Sequence, residues 1–141
     1  MASNHPTPIF DNLDFLPDPF RSGIDSIAPE LSINQREDYF YSLRYLISYK
    51  GSTATFNSYR REVERLLQWV WNETDLNLKE VKRENIEQYL EFTLKPPTNW
   101  IGTKNVARFK NAQGMRLPNP DWRPFVVPYS KALKLKTLAE N

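Results

Sequence analysis

The sequence predicts an all-α fold: a small helical bundle over residues 31–95, followed by an irregular proline-rich segment. Three observations predict it. Proline divides the chain, with five in residues 1–30, six in residues 96–141 and none between. The proline-free stretch carries apolar residues at the three-and-four spacing of a helix face. Helix start and stop residues bracket each apolar run.

Residues 1–30 form an acidic leader with Pro6, Pro8, Pro17, Pro19 and Pro29 among isolated apolar residues. Such a pattern is extended or disordered, with Phe15 or Phe20 as the residues that would dock on the body. The first helix is predicted from about Ile33 to Lys50. Ser32 and Gln35 stand at capping-box spacing, and Gly51 is placed to end the helix in the left-handed conformation. Tyr39, Phe40, Leu43, Leu46 and Ile47 make its core stripe. Tyr41, Tyr45 and Tyr49 make a second stripe on the opposite side, read as a packing surface.

The second helix begins at Ser52 and Thr53, whose hydroxyls can accept a free backbone N–H, and runs to about Glu73. Phe56, Tyr59, Val63, Leu66, Leu67 and Val70 form its apolar face. Asn57, Ser58, Arg61, Arg65, Gln68 and Asn72 form its polar face, and Trp69 and Trp71 close the bundle end. A short turn at Leu78–Val81 leads to a third helix from about Arg83 to Leu94, with Ile86, Tyr89, Leu90 and Thr93 inward. Lys95-Pro96-Pro97 ends it, because the residue before proline is pushed out of the helical region. Residues 96–128 are not helical; Trp100-Ile101 and Phe125-Val126-Val127 are candidate short strands. Residues 129–141 are a basic tail or the start of a fourth helix, with Ala132, Leu133, Leu135 and Leu138 in a weak helical rhythm.

Several function classes are poorly served by this inventory. There is no cysteine, so no thiolate metal site or disulfide. The single histidine, His5, cannot build a histidine metal cluster and makes a histidine-dependent triad improbable. Glu80, Glu84, Glu87 and Glu91 are interspersed with Lys79, Lys82 and Arg83, the pattern of a solvated mixed-charge face. The four glycines are isolated, so no phosphate loop is formed. No cofactor is implied, and the chain is not expected to be an enzyme by itself. No apolar run approaches the ~20 residues that span a bilayer, and the N-terminus lacks a secretory signal. The chain reads as cytoplasmic.

Charge points to a polyanion. Residues 1–30 carry five acids against Arg21, residues 31–95 ten of each sign, and residues 96–141 eight bases against two acids. A basic C-terminal third beside a neutral body suits a nucleic-acid partner. Two sets of residues offer contacts. At the start of the second helix, Lys50, Ser52, Thr53 and Thr55 surround free N–H groups that favour phosphate, and Ser58, Arg61 and Arg65 continue outward. Farther on, Lys104, Arg108 and Lys110 are interleaved with Trp100, Asn105, Phe109 and Asn111.

The motif S-T-x-T-x-x-x-Y-R-R-E-V-E-R-L-L-Q-W (Ser52 to Trp69), then an L-x-x-V turn and N-I-E-Q-Y-L (Asn85 to Leu90), resembles the N-terminal core-binding, SAM-like domain of tyrosine recombinases, the phage integrase family. The likeness covers residues 33–95. It implies a mainly orthogonal four-helix bundle that forms half of a C-shaped clamp on duplex DNA. It also implies a C-terminal catalytic domain in the full-length parent, with the tyrosine nucleophile there, and an oligomer on DNA. The chain has no H-x-x-R box, so strand transfer is not expected from it. The family's phosphate contacts fall on Ser52, Thr53, Thr55, Arg60 and Arg61; Tyr59 also corresponds but is assigned to the core face. The departure is residues 96–128, which stand where the family places its fourth helix.

An alternative from another class is a protein–protein or oligomerisation module, using the Tyr41/Tyr45/Tyr49 stripe and the Trp-rich segment 96–128.

Overall fold

The computed structural model describes residues 5–127, which fall into two compact units. One is Phe10–Tyr89; the other joins the residues before Phe10 to those from Leu90 onward. Residues 129–141, and with them any fourth helix, lie outside the described residues.

The first unit is helical. A one-turn α1 (Ile24–Ile27) packs on α2 (Ile33–Ile47), and α2 packs on α3 (Thr53–Glu73). A 3₁₀ turn at Leu78–Glu80 precedes α4 (Arg83–Leu94). Each start has a physical cause. The Ser32 hydroxyl accepts the N–H of Gln35 at 3.3 Å and caps α2. Ser52 caps α3 in the same way through Thr55, and Asn77 and Glu80 form a reciprocal capping box on the 3₁₀ turn. Gly51 departs from expectation: Gly114 is the only glycine of positive φ among the described residues. The chain leaves α2 through successive turn bonds, Tyr49 N–H to Leu46, Lys50 N–H to Ile47 and Ser52 N–H to Tyr49, with no left-handed residue.

Tyr39, Leu43, Leu46, Phe56, Leu67, Trp69 and Val70 form the buried core of this unit, joined by Phe10 and Ala28. The leader is tied down, and not by the residues expected. Phe15 and Phe20 are exposed, whereas Phe10 is fully buried and stacked on Tyr39 with ring centroids 5.2 Å apart. The N–H of Phe10 donates to the Glu64 carboxylate at 2.9 Å. Burying a phenylalanine contributes roughly 1.5–3 kcal/mol.

On a helical wheel, the buried residues of α3, Phe56, Arg60, Glu64, Leu67, Gln68, Trp69 and Val70, centre roughly 60° from the apolar stripe read in the sequence. Gln68 is therefore buried, not on the outer polar face, and Tyr59 is 39% exposed, not in the core. A similar correction holds for α4. Trp69 packs on Tyr89 at 5.6 Å, but Ile86 and Leu90, expected inward, are exposed together with Leu94.

The second unit corrects the all-α expectation: helix dominates the chain, but this unit holds two small strand pairs. β1 (Ile101–Gly102) pairs in parallel with β4 (Phe125–Val126), while β2 (Phe109–Ala112) and β3 (Met115–Pro118) form an antiparallel hairpin. Gln113 and Gly114 make its two-residue turn with φ of 52° and 77°, the positive values that a type I′ hairpin turn requires. Trp100 is buried against Phe92 at 4.8 Å. Asn119, also buried, fastens the loops: its Nδ2 donates to the Ala107 carbonyl at 2.8 Å and its Oδ1 accepts from the Asp121 N–H at 3.1 Å.

Candidate nucleic-acid interface

The start of α3 presents most of the residues predicted for it. Lys50, Ser52 and Thr53 are exposed and Thr55 is half-buried. The Ser52 hydroxyl lies 3.0 Å from the Thr55 hydroxyl and accepts the Thr55 N–H at 3.4 Å. The Phe56 N–H is taken by the Ser52 carbonyl. Thr53 and Ala54 precede the first intrahelical bonds, and their N–H groups point out of the helix end. Ser58 and Arg61 lie exposed on the following turns.

Arg60 does not belong to this surface. It is buried, and its guanidinium donates to the Asp11 carbonyl at 3.1 Å and to the Asn12 side chain at 3.0 Å, above the Phe56 ring. A buried cation must be hydrogen-bonded to persist, and these partners come from the docked leader. The residue is a structural tie. Position 60 lies one helical turn from Phe56, but the partners that bury it are 48 and 49 positions away, so α3 by itself gives no signal of its burial.

Arg61 and Arg65 both lie near Glu62, at 3.5 and 3.7 Å. The Arg61 pair is exposed and worth about 0–1 kcal/mol, so a phosphate can compete for Arg61, whereas Arg65 is half-buried. The remaining predicted residues lie in the second unit. Lys104 and Lys110 are exposed, and Arg108 is half-buried with its guanidinium 5.0 Å above the Trp122 ring. The candidate residues thus form two groups, one in each compact unit.

An aromatic surface that the sequence assigned to packing is open. Tyr45, Tyr49 and Tyr59 cluster, with Tyr49 edge-on to Tyr59 at 4.6 Å and Tyr45 stacked on Tyr59 at 6.2 Å. A hydrogen bond with Tyr49 holds the Tyr45 hydroxyl above its ordinary pKa. Tyr41, Tyr45, Val63, Leu66 and Leu78 line a shallow apolar groove beside this cluster. Among the described residues there is no group of acidic or histidine side chains placed to hold a metal ion. No helix of these residues is long and apolar enough to cross a membrane.

Comparison with protein-family models, with curated proteins and with solved structures finds no match to this chain.

Proposed function

We propose that the chain is the DNA-clamping, core-binding module of a tyrosine recombinase of the integrase class. In this reading α2, α3 and α4 are helices of the SAM-like bundle, and the module acts with a C-terminal catalytic domain of a longer parent. The observation that carries it is the α3 start: a Ser52-capped helix end, exposed, with Lys50 before it and Arg61 one face outward. Backbone N–H groups, small hydroxyls and flexible cations in that order form a phosphate seat. The motif resemblance over Ser52 to Leu90 adds the family.

Titration of the protein with a duplex oligonucleotide across a salt series tests the reading. Saturable binding that weakens steeply with salt is expected, because neutralised phosphates release counterions. Lys50→Glu with Arg61→Glu should weaken binding to all sequences alike. Absence of saturable binding at low salt would overturn the proposal.

A second reading is favoured by one observation, the exposed tyrosine cluster beside the Tyr41–Leu78 groove. There the module associates through α2 and α3 with another protein. Tyr45→Ser would then abolish a complex visible by light scattering while leaving DNA affinity intact.

A further inference from the structure

The β2–β3 hairpin carries the proposal furthest. A two-stranded antiparallel ribbon fits the B-DNA major groove, as an α-helix does. The type I′ turn at Gln113–Gly114 matches the right-handed twist of such a ribbon. Directly opposed residues share a face, so Asn111 and Arg116 stand together on one side and Lys110 and Leu117 on the other. The Arg116 guanidinium donates to Asn111 Oδ1 at 3.3 Å, which brings the two side chains side by side. Asparagine and arginine are the side chains that pair with the major-groove edges of adenine and guanine.

The charge of the surroundings suits the same partner. Residues 90–127 hold six bases against Glu91 and Asp121. Among the described residues neither Lys104 nor Lys110 has a carboxylate within ion-pair distance, and both are exposed.

We propose that the β2–β3 hairpin is a second DNA-contacting element, a ribbon that enters the major groove of duplex DNA. The Asn111–Arg116 face lies toward base edges, and Lys110, on the other face, extends sideways to a phosphate at the groove rim. The partner is B-form DNA; the deep, narrow major groove of duplex RNA does not admit side chains. The proposal rests on the DNA-binding reading above and adds the element that carries sequence preference.

The chain has no cysteine, so Met115→Cys gives a unique attachment point near the turn, at a side chain 62% exposed. Iron–EDTA tethered there is expected to cut bound duplex DNA in the strand-offset pattern of a reagent in the major groove. The same reagent on Glu73→Cys, exposed at the end of α3, serves as reference. Lys110→Ala, with an unchanged circular dichroism spectrum, should lower the slope of log affinity against log salt by about 0.9, one phosphate contact. If the protein binds DNA but the Met115 tether leaves it uncut and the Lys110 variant keeps the full slope, the hairpin proposal is overturned while the DNA-binding reading stands. If no duplex binds at all, that reading fails first.

Discussion

The Asp38 carboxylate on α2 accepts the indole N–H of Trp71 on α3 at 3.0 Å. The same carboxylate takes the backbone N–H of Leu78 at 3.1 Å, so one buried acid joins both helices to the turn that follows them. Burial holds its pKa above the carboxylate norm, against the pull of these two donors. The folded state then binds the Asp38 proton more tightly than the unfolded chain does. Its contribution is full below the ordinary aspartate value of 3.8 and declines as pH rises through the raised folded value. Asp38→Asn should remove this part of the slope. It should also cost about 1–3 kcal/mol, because the amide NH2 that replaces Oδ1 sets a donor against the Leu78 N–H. Thermal unfolding of both proteins across the acid range checks the sign and the size.

Arg60 and Arg61 are adjacent in sequence and opposite in role. Arg60→Ala should destabilise the fold by ~3 kcal/mol, since charged hydrogen bonds to the leader are lost. Arg61→Ala should leave stability within about 0.5 kcal/mol and weaken DNA binding. Urea denaturation followed by circular dichroism, set beside the DNA titration, separates the two.

Tyr39 gives an alkaline limit. Burial, with the nearby acids Glu30 and Asp11, pushes its hydroxyl up to about 12. Tyr89 is likewise pushed up to about 12, first by burial. For both, stability is full below the ordinary value near 10 and is lost as pH rises toward 12. Tyrosinate absorbance should show these two rings titrating toward pH 12, together with loss of helical signal. Tyr39→Phe should move that loss to higher pH.

The hairpin turn is improvable. Gln113 holds φ of 52°, a region that asparagine or glycine enters at lower cost. Gln113→Asn should slow amide exchange across Phe109–Pro118, and Gly114→Val should speed it. Hydrogen exchange read by mass spectrometry resolves both.

The helix ends were legible because they depend on local chemistry. Ser32 and Ser52 each accept an N–H three residues on, and α4 ends before Pro96 and Pro97. What faces which way was less legible, because it depends on a distant partner. Nothing within α3 announces that Phe10 will arrive over Arg60 and Glu64, so the apolar stripe alone aimed the helix toward Tyr59 and Leu66. The strand pair of Ile101 with Phe125 joins residues far apart, and only its two apolar dipeptides were visible. The hairpin was missed for another reason. Gln113-Gly114 lacks the asparagine or aspartate of the commonest two-residue turns, and Phe109–Ala112 does not alternate cleanly.

The bond between Phe10 and Glu64 spans 54 positions of the chain. On a ribosome, synthesising that many residues takes several seconds at about 5–20 per second. The Phe10 segment therefore waits for its seat until α2 and about half of α3 exist. During that interval a phenylalanine destined for burial has no seat to fill. A nascent chain halted before Glu64 should keep its N-terminus open to protease.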